Sequence, residues 1–115
     1  MLIQRQFLYL ADLNPRMGTE AGKLRPVIVL QSNLLNNTHP STIICPLTTK
    51  IAVGVTILRV HLKKGQAGLS YDSDVLIDQI RAIDNRRFLK SLGRVSTSIF
   101  EKVLENILIT LDLKI

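Results

Sequence analysis

A chain of 115 residues with 46% hydrophobic content and a formal charge of +6 is the size of one core, and it holds too much apolar material for a disordered polypeptide. No apolar run approaches the roughly 20 residues of a membrane span, and an N-terminus with one arginine and no long apolar stretch predicts no signal peptide. Cys45 is the only cysteine, which excludes an internal disulfide, fits a reducing cytoplasmic setting, and suits a small buried hydrophobe better than a nucleophile.

The aromatic residues are Phe7, Phe88, Phe100, Tyr9 and Tyr71, so Leu, Ile and Val must build the core. Residues 1–115 are expected to form a single domain. The first strand falls within 2–13, around Phe7-Leu8-Tyr9-Leu10, and ends at Asn14-Pro15. A second, 25–31, is entered through Pro26, a position where proline is tolerated in a strand. A single turn is expected over 34–37, and 42–48 forms a third strand. Residues 55–62 alternate Val55, Ile57 and, less cleanly, Val60 with polar partners, until Lys63-Lys64-Gly65 ends the run. The fifth strand spans 74–80 with Val75, Ile77 and Ile80. Its alternation would put Asp78 and Ile80 on one face, Gln79 and Arg81 on the other. Strands at this spacing predict a small barrel or a strongly bent sheet, mostly antiparallel.

The last third changes period. A short helix is expected over 85–92, ending before Gly93. Ser98-Ile99-Phe100-Glu101 matches a capping box with Ser98 as N-cap. Ile99, Val103, Leu104, Ile107, Leu108 and Leu111 then follow helical spacing, as a core-facing amphipathic helix should.

Charge placement says more than charge size. No acidic residue occurs between Glu20 and Asp72, a stretch that carries Lys23, Arg25, Lys50, Arg59, Lys63 and Lys64. Such a field favours polyanions, nucleic acid first and an acidic protein segment second; the alternative is a basic surface kept for solubility. Within it, Arg25 closes the loop Gly18–Leu24 at the mouth of a buried strand. It either offers a bidentate fork to a phosphate or pairs with Glu20 or Asp78 to tie down that loop. Thr48, Thr49 and Lys50 leave the third strand as two hydroxyls and a cation suited to phosphate oxygens, or as a capped turn. Gln79 is placed to read a base edge or simply to face solvent. His39 is expected in a turn and His61 at a strand edge. No His/Cys cluster has metal-ligand spacing, no glycine loop for phosphate is present, and no cofactor is expected.

Taken in order, Ala11-Asp12-Leu13-Asn14-Pro15, Gly18-Thr19-Glu20, Arg25-Pro26-Val27-Ile28-Val29, Pro46-Leu47-Thr48 and Asp78-Gln79-Ile80-Arg81-Ala82-Ile83-Asp84 resemble the MazF/PemK toxin family over nearly the whole chain. The resemblance implies a mainly β (α+β) fold: an SH3-like barrel of about five strands with a C-terminal amphipathic helix and one or two short helices. It also implies a cytoplasmic homodimer, an antitoxin partner with an acidic disordered segment, and no membrane association. The implied activity is metal-independent cleavage of single-stranded RNA at short specific sequences through the ribose 2′-hydroxyl.

Carried onto this chain, the family's catalytic arginine falls on Arg25, its paired hydroxyl on Thr48 and an acidic residue on Glu20. Lys23, Thr49, Lys50, Asp78, Gln79 and Arg81 are then the expected RNA-binding set. Arg5-Gln6 replaces the family's Gly-Asp and should alter only a turn. Thr19 stands where some members have histidine, and Leu76 where some have arginine. These departures favour an Arg25/Thr48 mechanism over an Arg–Asp acid/base pair. Arg25 would stabilise the phosphorane, Thr48 would bond the phosphate, and Glu20, with Asp78 behind it, would be the base; the acid is unassigned. The competing readings are a CcdB-like gyrase-binding toxin, which lacks the arginine–threonine pair, and a catalytically silent RNA-binding barrel.

Overall fold

The computed structural model describes residues 1–113. Seven strands precede one long helix: β1 (Phe7–Asp12), β2 (Leu24–Val29), β3 (Ser41–Thr48), β4 (Arg59–Leu62), β5 (Ser73–Leu76), β6 (Arg81–Asp84), β7 (Phe88–Arg94) and α1 (Thr97–Thr110). Every pairing is antiparallel, along the path β4-β5-β3-β2-β1-β7, with β6 joined to β3 beside it. The mainly β architecture with a C-terminal helix is as expected. Among the described residues there are seven strands rather than about five, and the sheet does not close, since β4 and β7 at the ends of the path share no ladder.

Two local features account for the extra strands. The expected strand 74–80 is broken by a 3-10 turn at Ile77–Gln79, closed by Ile80 N–H to the Ile77 carbonyl at 3.4 Å, so β5 and β6 are separate. The face assignment of Asp78, Ile80, Gln79 and Arg81 by strand alternation therefore fails. The helix expected over 85–92 is instead a single 3-10 turn at Asn85–Arg87 followed by β7. Asp84 caps that turn by accepting the Arg86 N–H, and the chain beyond Phe88 pairs with the open edge of β1. Edge pairing satisfies every second backbone group of the segment, which a lone two-turn helix could not do for its ends. The fourth strand is shorter than expected, since residues 51–58 form a loop. Residues 33–38 form the expected turn.

The helix starts earlier than the capping box suggested. Ser96, not Ser98, is the N-cap and accepts the Ile99 N–H at 3.3 Å. Val95, fully buried, bonds its N–H to the Gln6 carbonyl at 2.9 Å, and this tether fixes where the helix can begin. Gln6 itself takes φ +76 at the turn before β1, and its side chain donates to the Val95 carbonyl.

Period-two alternation along β1–β3 fills two cores, one on each face of the sheet. Leu8, Ile28, Cys45 and Leu47 face β4, β5 and α1, where Val60, Val75, Phe100 and Val103 meet them. Tyr9, Ala11, Val27, Val29 and Ile44 face the other way, onto Ile3, Leu13, Ile83 and Phe88. Burial on both sides explains why these strands read as near-continuous apolar runs. Of the expected helix stripe, Ile99, Val103, Leu104 and Ile107 pack on the first core, while Leu111 lies past the helix end and is exposed.

β3 is the hinge of the topology. One edge pairs with β2; along the other it meets β6 through residue 44 and β5 from residue 47. Pro46 stands in the gap between these partners, where the N–H that proline lacks has no strand to meet.

The loop that follows β3 is held by Asp74, which is fully buried. Its carboxylate accepts from the Ala52 N–H at 2.9 Å, from Arg59 Nη1 at 2.9 Å and from His61 Nδ1. Arg59 also bonds the Lys50 carbonyl, and His61 Nε2 meets the Val55 carbonyl at 2.9 Å. Burial pushes the Asp74 carboxyl up, but the Ala52, His61 and Arg59 bonds more than offset it, and the group lies below its ordinary value. A depressed carboxyl contributes stability above its unfolded-state pKa, near 3.9, and loses it as pH falls through the folded-state value. Asp74→Asn is expected to cost about 2 kcal/mol at neutral pH, since partly exposed partners moderate the loss of a buried charge. Urea denaturation against pH checks this: the wild-type and variant curves should converge in acid, and parallel curves would refute it.

Candidate active site

The loop between β1 and β2 is pinned before it delivers Arg25. Leu13 N–H reaches the Lys23 carbonyl and Lys23 N–H reaches Asn14 Oδ1, both at 2.8 Å. Gly22 is buried, and a Cβ there would sit 2.6 Å from Arg16 Cβ, so only glycine lets the loop turn back on itself. The Gly22 carbonyl then accepts Arg25 Nε at 2.7 Å, and the Leu47 carbonyl accepts Nη1 at 3.3 Å. A guanidinium has five N–H donors, so two fixed bonds aim it while the rest stay available to an anion.

Thr48 is 8% exposed at the end of β3. The ladder pairs Val27 with Pro46, and the same register carried outward sets Arg25 opposite Thr48. Thr48 Oγ1 accepts the Lys50 N–H at 3.2 Å, so its hydroxyl proton can point at a ligand. Arg25, Thr48, Lys23, Thr49 and Lys50 line one cleft of about 190 Å³, together with Ser73, which sequence reasoning missed.

The other predicted site residues cluster beside this cleft rather than in it. Glu20 pairs with Arg81 at 3.5 Å, and Arg25 with neither Glu20 nor Asp78, so the loop-tying alternative for Arg25 falls to Arg81. Gln79 grips the same loop: its Oε1 accepts from Ala21 N–H and its Nε2 donates to the Thr19 carbonyl, each at 3.3 Å. Asp78 is exposed and, among the described residues, makes no hydrogen bond or ion pair. Cys45 is inert: burial, then the nearby Asp78 charge, push its thiol up to about 12. His39 lies in the turn as expected, bonding Ser41. The partnership of His61 with Asp74 escaped the sequence, although two short neighbouring strands, one cationic and one acidic, carry its signal.

An open antiparallel sheet backed by a C-terminal helix, with a cationic cleft around a recessed hydroxyl, defines a class of small β protein. The chain belongs to the PemK-like, MazF-like toxins of type II toxin–antitoxin systems, whose family model matches residues 4–111. It is 33% identical over 113 residues to Endoribonuclease EndoA of Bacillus subtilis, covering 98% of this chain and 97% of that one. Its fold resembles MazF from Deinococcus radiodurans with a TM-score of 0.85 at 24% identity, covering 98% and 99% of the two chains. A MazE–MazF crystal structure from the same organism matches with a TM-score of 0.78 at 24% identity, covering 99% of each chain. The Mycobacterium tuberculosis toxin MazF-mt6 matches at 0.79 and 22% identity, covering 95% and 99%. No helix among the described residues is long and apolar enough to cross a membrane.

Proposed function

We propose that the Arg25–Thr48 cleft is the active site at which this toxin, an endoribonuclease like its curated relative, cuts single-stranded RNA in the cytoplasm. The carrying observation is that a guanidinium braced by the Gly22 and Leu47 carbonyls and a recessed hydroxyl line one small cleft just beyond the end of the β2–β3 ladder. In the proposed reaction the ribose 2′-oxygen loses its proton and attacks phosphorus. The bond to the 5′-oxygen breaks, and that oxygen takes a proton. The products are a 2′,3′-cyclic phosphate and a 5′-hydroxyl.

Arg25 offers its free donors to the phosphorane oxygens, whose charge grows as the bond forms. Thr48 donates to a non-bridging oxygen and helps hold the phosphate in line. Glu20 is the proposed base: one long ion pair with Arg81 leaves carboxylate lone pairs to accept a proton, and Asp78 stands behind it. Lys23, Thr49 and Lys50 on the rim meet flanking phosphates, and Gln79 and Arg81 extend that surface past the loop they brace. The proposed assembly is a homodimer controlled by an antitoxin whose acidic segment competes for the acid-free stretch of 21–71. The MazE–MazF complex among the similar structures supports such a partner.

The test is digestion of one long RNA with the purified chain and mapping of its cut ends. Discrete sites with 5′-hydroxyl termini are expected. Intact RNA, or termini carrying 5′-phosphate, would refute the reading.

A further inference from the structure

The Arg25–Thr48 cleft continues into a second one. Leu24, Pro26, Thr49 and Ser73 line both, and beyond them opens a space of about 380 Å³. Its walls are apolar, from Leu10 on β1, Leu92 on β7 and the core residue Leu69, and Tyr71 and Lys90 lie at its edge.

Tyr71 differs from every other aromatic in the chain. It is 69% exposed, whereas Tyr9, Phe88 and Phe100 are buried and Phe7 half-buried. Yet its backbone is held on both sides. Leu69 anchors the preceding turn in the core, and Gly68, at φ +76, packs so closely that a Cβ would lie 2.4 Å from the Leu92 carbonyl oxygen. After it, Asp72 Oδ1 accepts the Lys64 N–H at 2.8 Å, and Ser73 Oγ donates to the Tyr71 carbonyl at 2.9 Å. A ring on so fixed a backbone has little freedom to lose on binding, which is what makes an aromatic an effective platform.

We propose that this second cleft is a nucleobase subsite, in which Tyr71 stacks the unpaired base of a nucleotide flanking the scissile phosphate. The inference rests on the reading of the Arg25–Thr48 cleft as the RNA-cleaving site. A base is flat and apolar on its faces, matching the ring and the Leu69–Leu92 wall, and the phosphate joined to it falls toward Lys90 or back toward Arg25. An acidic peptide would find the cations here but would leave the apolar wall and the ring face unused.

The chain lacks Trp, so its intrinsic emission comes from Tyr9 and Tyr71 alone. Tyr9 is 1% exposed, with its hydroxyl bonded to the Gln4 N–H and the Leu2 carbonyl, and is insulated from ligands. An unstructured 2′-O-methyl RNA, which binds but offers no nucleophile, is titrated onto the full chain. It should quench the wild-type emission and leave that of Tyr71→Phe unchanged. Tyr71→Ala should weaken binding about 10-fold while Tyr71→Phe stays within about 2-fold, the loss expected for one stacked base. In cleavable RNA, an abasic residue is moved through the mapped cut site, and one position should cost the wild type activity but cost Tyr71→Ala nothing further.

Unaltered RNA affinity in Tyr71→Ala would overturn the subsite, as would penalties that add independently at every abasic position. Quenching by an acidic peptide but not by RNA would make the cleft a protein site and overturn it too. The two readings fail separately. A wild type that cuts RNA while Tyr71→Ala binds normally sinks the subsite alone; one quenched at Tyr71 by RNA it never cuts sinks the active-site reading alone.

Discussion

Arg25→Ala is expected to lower the single-turnover rate of RNA cleavage roughly 100-fold or more, with RNA binding reduced far less. Fixed positive charge beside a developing phosphorane is worth more in the transition state than in the ground state, so the loss should fall on the rate and not on binding. Arg25→Lys should recover little. The native guanidinium is aimed by the Gly22 and Leu47 carbonyls at 2.7 and 3.3 Å, and an ammonium cannot keep both bonds and still present a fork to the phosphate. Thr48→Val is nearly isosteric and should also slow cleavage while the sheet stays folded, because the hydroxyl is recessed and, among the described residues, makes one bond, to Lys50 N–H. Circular dichroism controls for folding. Folded variants cutting at the parental rate would put the chemistry in another part of the sheet.

Removing a single oxygen from the substrate should have the larger effect. An oligonucleotide carrying deoxyribose only at the nucleotide 5′ of the cut has every phosphate and base of the native substrate but lacks the proposed nucleophile. It should remain intact where the all-ribose strand is cut, and it should bind with nearly native affinity. Cutting of the chimera would eliminate 2′-oxygen attack, whatever the fate of the Arg25 variants. The two experiments are independent, one altering the protein's charge and the other the attacking atom.

Arg25 and Thr48 were legible as strand-end residues because Pro26 and Pro46 sit beside them and strong apolar runs fix both strands. Their mutual approach was not read from pattern: register depends on the β2–β3 pairing, which no local signal encodes. The break at Ile77–Gln79 was hidden because Val75, Ile77 and Ile80 imitate a continuing strand, while the turn closes through backbone atoms common to every residue. The segment after Asn85 carries a similarly deceptive pattern. Leu89 and Leu92 have helical spacing, but the free edge of β1 offered a ladder that outweighed that weak preference. Ser98 lost the capping role to Ser96 through the tether of Val95 to Gln6, a contact spanning most of the chain. Tyr71 gave no signal at all, since an isolated tyrosine in a polar loop looks the same whether its backbone is free or clamped.

The change of partners along β3 makes the active site a joint. Arg25 stands on the half of the sheet built from β1 and β2, whereas Thr48 lies where β3 has already joined β5, directly opposite Asp74. Catalytic alignment is thus inherited from how two halves are seated on one strand, and displacement on the ångström scale between them reaches the phosphate. Solvent exchange of the amides in the Thr48–Asp74 pair therefore serves as a gauge of catalytic competence: conditions that loosen that rung should silence cleavage before the chain as a whole unfolds.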